Sequence, residues 1–251
     1  MPVTSSRSLP RLGILACDRV WEPLRSRHGD YAALYAGLLR ETGAAFQLVE
    51  FAVFEGDFPA QPTDCDAWLI SGSRASVFEG HAWIADAMEF VRAAHAAQVP
   101  QLGVCFGHQL LAQALGGRTE RAACGWGLGN IELSVRPGAG VPLPPRLRLY
   151  MAHQDQVVAL PPDAECLAST THCENAMFRL GRYVLGVQPH PEFSGELMQD
   201  VALDKNLALS PATREAALAS LRHPADSSLM APWLVDFLGL GGKAARAGAG
   251  S

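Results

Sequence analysis

Apolar positions along the chain recur with two periods, and the shift between them divides the chain into a strand–helix alternation, a strand-rich middle and a helical end. Arg11 to Cys17 is a short apolar run that suits a strand buried on both faces. From Tyr31 to Arg40 the apolar residues Tyr31, Leu34, Tyr35, Leu38 and Leu39 fall at i, i+3, i+4, i+7 and i+8, one helical face, with Gly43 placed to end it. Apolar runs at Phe46 to Val53 and Ala67 to Ser71 predict two more strands around a Pro/Asp-rich loop. The helical period returns between His81 and Gln98, where Trp83, Ala87, Phe90, Val91 and Ala94 share a face. Gln101 to Val104 is again strand-like and runs straight into a helical stretch through Gln109 to Leu115.

Such alternation predicts an α/β domain of flavodoxin-like, three-layer type, with helices on both faces of a mostly parallel sheet. Between Gly127 and Val187 the helical period is absent. Five strands are predicted there: Asn130–Val135, Leu147–Met151, Glu165–Ser169, Ala176–Leu180 and Tyr183–Val187. Pro/Gly-rich turns at 136–145 and 160–162 make this region an antiparallel extension of the sheet. Helices resume after Ser194, giving one domain over residues 1–238, and the Gly/Ala-rich stretch 239–251 reads as a disordered tail.

Composition narrows the partners. The chain has 251 residues, 49% of them hydrophobic and 18% charged, in the globular range. A net charge of -5 offers no electrostatic footprint for nucleic acid or an acidic membrane surface. No apolar stretch approaches the roughly 20 residues a spanning helix needs, and the first residues lack a signal-peptide core. Six cysteines without a CxxC pair or metal-ligand spacing read as mostly buried thiols in a reducing, cytoplasmic setting. His172-Cys173 finds no partner pair for a metal site. A small-molecule substrate fits this surface best.

The most informative stretch is Gly103-Val104-Cys105-Phe106-Gly107-His108-Gln109. A buried strand, a turn carrying a thiol and an immediate helix make the cysteine counterpart of the G-x-S-x-G elbow. Glycines two residues either side of Cys105 sit where a Cβ would collide with neighbouring backbone. The turn exposes the sulfur at the carboxyl edge of the sheet, at a helix N-terminus whose partial charge favours thiolate. His190-Pro191-Glu192 follows another apolar strand, so its imidazole can face the sulfur while Glu192 holds the second ring N–H. His108 and His153 read as packing or supporting residues, and Trp126, between glycines, as part of a loop near the pocket.

Together these motifs resemble the class I (triad) glutamine amidotransferases, in particular the glutaminase domain of GMP synthase and its free-standing relatives. The resemblance runs from about Leu12 to Phe193 and includes Ile70-Ser71-Gly72-Ser73-Arg74-Ala75-Ser76-Val77, Gly125-Trp126-Gly127-Leu128-Gly129 and Ala152-His153-Gln154-Asp155-Gln156-Val157. It implies Cys105 as nucleophile, His190 as base and acid, and Glu192 as the residue that orients the ring. It also implies an oxyanion hole from the backbone N–H groups of Ser73 and Phe106. Substrate binding would fall to Gly72, Gln109 and the Ala152, Gln154 and Asp155 segment. Relatives commonly carry two glycines where this chain has Gly72-Ser73, so a serine fits there only if its φ stays negative or the local strain is tolerated, and the oxyanion-hole assignment depends on it.

The implied reaction is hydrolysis of a γ-glutamyl amide through a thioester, releasing ammonia and glutamate without metal or organic cofactor. The 58 residues after Phe193 are too few for a synthetase domain. Ammonia would then pass to a separate synthetase subunit, or the enzyme is a stand-alone hydrolase of γ-glutamyl peptides or conjugates. A catalytically silent binding homologue and a different elbow-cysteine enzyme are the alternatives from other classes.

Overall fold

The structure, a computed structural model, describes residues 8–241. Nine strands form one sheet in the order β2-β1-β3-β4-β11-β10-β9-β6-β7. Its parallel half comprises β1 (Arg11–Ala16), β2 (Gln47–Ala52), β3 (Ala67–Ile70), β4 (Gln101–Val104) and β11 (Val184–Val187). The central strands are buried on both faces because their residues alternate between two cores. Leu12, Ile14, Ala67, Leu69, Leu102 and Val104 point into one, and Leu15, Trp68 and Ile70 into the other. Gly13 pairs with Trp68 across β1 and β3, and a Cβ at Gly13 would lie 2.1 Å from the indole.

The first core is closed by α2 (Tyr31–Arg40), α5 (Gly195–Leu203) and α7 (Ser227–Phe237). The second is closed by α3 (Ala82–Ala96) and α4 (Phe106–Ala114). Of the α2 face predicted from periodicity, Tyr31, Tyr35, Leu38 and Leu39 are buried, and Leu34 packs half-exposed against them. Asp30 starts this helix by accepting the Tyr31 N–H, and Gly43, at φ 85°, turns the chain just after its end. Helix α5 begins where Ser194 Oγ accepts the Leu197 N–H. A short helix, α1 (Leu24–His28), and α6 (Pro211–Ser220) complete the helical set. None of the described helices is long and apolar enough to cross a membrane.

The antiparallel half is β10 (Met177–Leu180), β9 (Ala164–Ser169), β6 (Gly127–Val135) and β7 (Arg146–His153), as the pattern predicts. A second sheet was not foreseen. It pairs β5 (Arg118–Arg121) with β8 (Asp155–Ala159). Three of the four β5 residues are charged, so no apolar alternation marks the strand, and it is held by its partner rather than by a buried face. At Ala152–Asp155 a single bend at Gln154 carries the chain from β7 of the large sheet into β8 of the small one. At the C-terminus the packed part extends past the expected boundary: Leu240 is buried, and its N–H bonds Val235 O. Residues 242–251, the rest of the expected tail, lie outside the described residues, as do 1–7.

Candidate active site

Strands β4 and β11 are parallel neighbours, and their carboxyl ends bring two distant parts of the chain together. Cys105 follows β4 at φ 54° and ψ -105°, a conformation non-glycine residues rarely adopt, and α4 begins at the next residue. Backbone fit holds it there. Cys105 N–H bonds Val187 O at 2.9 Å and Gly107 N–H bonds Ser71 O at 3.1 Å. A Cβ on Gly103 would lie 2.3 Å from Gly107 O, and one on Gly107 would lie 2.2 Å from Ile70 O, so both positions admit only glycine.

His190 lies just beyond β11, where its N–H bonds Tyr150 O at 2.7 Å. Its Nδ1 donates to Glu192 Oε1 at 2.7 Å, which leaves Nε2 for the Cys105 sulfur. Both side chains are almost wholly buried. Burial disfavours a charged ring, but the Glu192 carboxylate and the Cys105 sulfur, by charge and by hydrogen bond, outweigh it and raise the imidazole pKa to about 10. The ring is clamped from two sides. Phe193 stacks on it at 4.0 Å between centroids, and a Cβ at Gly72 would come within 3.1 Å of its Cε1.

A cavity of about 290 Å³ opens over the sulfur, lined by Cys105, His190, Ser73, Gln109, Ala152, Gln154 and Asp155 among others. These are seven of the residues anticipated from sequence. Three others stand behind the lining: Glu192 under the imidazole, Gly72 against its edge, and Phe106, whose ring packs on Trp83 in the second core. The φ of Ser73 is not positive, so the serine fits the loop after β3 without the strain its side chain threatened. Among the described residues the N–H groups of Ser73 and Phe106 bond no acceptor, which leaves two donors beside the thiol.

Gln109 is committed on one side. Its Nε2 donates to Asp155 O at 2.8 Å and Gln188 Oε1 at 3.1 Å, so its Oε1 is the atom left to meet a ligand. Asp155 O also accepts from His153 Nδ1 at 2.9 Å. That bond gives His153 the supporting place expected of it, and burial lowers its pKa to about 3, keeping it neutral. His108 is likewise neutral, buried beside Phe178 with its pKa lowered by desolvation to about 3.

Several lining residues escaped the sequence reading. Arg121 Nε lies 2.6 Å from Asp155 Oδ1, and Ser76 Oγ donates to the other oxygen of that carboxylate. Arg121 belongs to the unforeseen strand β5, so no local signal could have found it. Trp21, Tyr31, Phe193, Val201 and Leu207 supply an apolar wall. Tyr31 was legible as a core residue but not as a pocket residue. Burial, then the charges of Cys105 and Asp18, push the Tyr31 phenol up, which keeps it protonated beside the sulfur. Trp126 lines the cavity, as its glycine-flanked position suggested.

Residues 30–208 match the family model for Glutamine amidotransferase class-I. The chain belongs to that family. Gamma-glutamyl peptidase 4 of Arabidopsis thaliana is 32% identical over 73% of this chain and 76% of its own length. A GMP synthase of Pyrobaculum aerophilum is 32% identical over 65% of this chain, but the match covers only 31% of that longer protein. The fold is shared with the glutamine amido transferase of Methylobacillus flagellatus, with a TM-score of 0.70 over 90% of this chain and 95% of the other, at 21% identity. Membership is what the resemblance implied, and the similar proteins include enzymes named for hydrolytic reactions. Outside the cavity, Cys17 and Cys173 are shielded from solvent. Burial pushes Cys17 well up and Cys173 up to about 12. Cys124 is exposed, with its sulfur 3.5 Å from His172 Nδ1, and no group of three or more His, Cys, Asp or Glu suited to a metal exists among the described residues.

Proposed function

We propose that this amidotransferase-family protein hydrolyses γ-glutamyl amides, with Cys105 as nucleophile, His190 as acid and then base, and Glu192 holding the ring. The observation that carries the reading is the elbow thiol at φ 54° with the Glu192-bonded imidazole on the adjacent strand end, both facing one cavity. In the resting site the proton resides on His190, paired with the sulfur. The sulfur adds to the amide carbonyl, forming a C–S bond, and the Ser73 and Phe106 N–H groups hold the oxyanion. Each such donor is worth roughly 3–4 kcal/mol in comparable sites. The C–N bond then breaks as His190 gives its proton to the nitrogen, leaving a thioester and a free amine. Neutral His190 next takes a proton from water, whose oxygen displaces the sulfur and frees glutamate.

Gln109 Oε1 and the Arg121–Asp155 pair are the groups suited to the substrate's α-ammonium and α-carboxylate. The peptidase relatives favour a stand-alone hydrolase of γ-glutamyl peptides or conjugates. A second reading has ammonia passed to a separate synthetase subunit, and it rests on the GMP synthase matches, which cover about a third of those proteins.

The chain alone, incubated with glutamine and a set of γ-glutamyl peptides, is expected to release glutamate, most strongly from the peptides. Cys105→Ser is expected to fold normally and lose at least about a thousandfold in turnover. Retention of a tenth of the rate in that variant would remove the nucleophile assignment.

A further inference from the structure

The cavity is chemically two-sided. One side is a connected polar set: Arg121 pairs with Asp155 and bonds Gln154 Oε1, while Ser76 bonds Asp155 and Gln109 bonds the Asp155 carbonyl. The other side, beyond His190, is apolar. Phe193 lies flat on the imidazole, and Trp21, Val201 and Leu207 continue the surface. These four residues come from three different segments: the loop after β1, the stretch from β11 into α5, and the connection between α5 and α6. Trp21 is fixed in place, because its Nε1 donates to Asp204 Oδ2 and the Arg74 guanidinium covers its ring at 5.9 Å. Arg74 is in turn tied to Asp18 by Nε and Nη2 at 2.8 and 2.9 Å, so the pair adds no net charge to this side.

The proton on His190 goes to the departing nitrogen, so whatever that nitrogen carries must lie next to the imidazole. For glutamine the departing group is ammonia, which has no substituent to fill an apolar wall. The geometry points to a substrate whose leaving amine bears an uncharged apolar group, seated on Phe193, Trp21, Val201 and Leu207, while the γ-glutamyl head lies against the polar side. This inference rests on the γ-glutamyl amidase reading above. Its bond changes are those of that reaction: the C–N bond breaks, the nitrogen takes the His190 proton, and the apolar amine leaves intact. The volume of about 290 Å³ sits at the lower end of the ~300–1,000 Å³ typical of small-molecule sites. The amine substituent is therefore compact, of the size of one isobutyl or benzyl group.

The test compares kcat/KM for γ-glutamylmethylamide, γ-glutamylisobutylamide and γ-glutamylbenzylamide, all secondary amides differing only in the amine. The expected order rises with apolar size, with the benzylamide at least about tenfold above the methylamide, the gain one well-fitted apolar group commonly provides. Leu207→Asp, which alters a half-exposed loop position, is expected to lower the benzyl-to-methyl ratio by at least tenfold. Leu207→Ser and Trp21→Phe are expected to lower it less, and they serve should the aspartate variant fail to fold. A flat or inverted order in the wild-type protein, with all three amides hydrolysed, overturns the apolar leaving group and leaves the amidase reading intact. No glutamate from any γ-glutamyl compound, glutamine included, takes down both.

Discussion

The two halves of the sheet serve the site by different physical means. In the parallel half, position is set by backbone fit. Cys105 is held in a strained turn by its bond to Val187 O and by the missing side chains of Gly103 and Gly107, with hardly any polar side chain involved. In the antiparallel half and the small sheet beside it, position is set by side-chain bonding. Asp155, buried at the start of β8, gathers Arg121, Ser76, Gln109 and His153 around its carboxylate and carbonyl. His190 sits on the seam, one strand end from the thiol and hydrogen-bonded to β7 through Tyr150. A close-packed backbone cannot yield by small amounts, whereas a polar network partly exposed to water can rearrange. Damage on the parallel side should therefore be abrupt, and damage on the other side graded.

Gly107→Ala puts this contrast to its hardest trial. Its new Cβ would sit 2.2 Å from Ile70 O, a clash with backbone that nothing flexible can absorb. The expected cost is about 3 kcal/mol of stability or more, near the top of the usual range for overpacking, with activity lost in the same variant. Urea denaturation of purified protein measures it. A change below about 0.5 kcal/mol would mean that the elbow is looser than its contacts imply.

Glu192→Gln comes next and acts at the seam. The glutamine can still bond the ring but brings no charge, so the main influence raising the His190 pKa is lost. Turnover should fall by about two orders of magnitude, less than for a lost nucleophile. The pH dependence carries the sharper sign. A raised histidine pKa means that protonated His190 stabilises the native state fully below the ordinary value near 6.5. That contribution is lost as pH climbs through about 10. The same proton serves the leaving amine, so the alkaline limb of kcat/KM should lie well above neutrality in the wild type. In the variant it should move down by at least one pH unit, and an unmoved limb would detach Glu192 from the charge on the ring.

The smallest effect is expected on the polar side. Arg121 is largely exposed, and although its ion partner Asp155 is buried, the Asp155 carboxylate keeps its bond from Ser76 when the guanidinium is removed, so Arg121→Ala should cost only about 1–2 kcal/mol of stability. Its place in the cavity predicts instead a rise in KM of about tenfold with kcat nearly kept, the pattern of lost uniform binding. A fall in kcat with KM unchanged would move Arg121 from substrate binding into transition-state positioning.

Much of the frame was legible because burial on both faces leaves a direct trace in residue order. The apolar runs of β1, β3, β4 and β11 and the helical faces of α2 and α3 fall within a residue or two of their expected places. Strand β5 left no such trace. Its residues Arg118-Thr119-Glu120-Arg121 gain their conformation only by pairing with β8. The end of the domain leaves a misleading local trace as well, since Gly239 announces a tail while Leu240 turns back to pack beside Val235.

The order of residues by itself determined the elbow, because two glycines and a thiol at fixed spacing encode a collision that only one backbone path avoids. It likewise placed an imidazole and a carboxylate two positions apart, close enough to bond whatever the rest of the chain does. Only the tertiary structure decided what the thiol faces. Trp21, Arg121, Phe193 and Leu207 are far apart along the chain and share no motif, and they become one cavity through strand order and helix packing. Local sterics can be written in a few adjacent residues, whereas a pocket is the space left between elements, and its shape belongs to none of them alone.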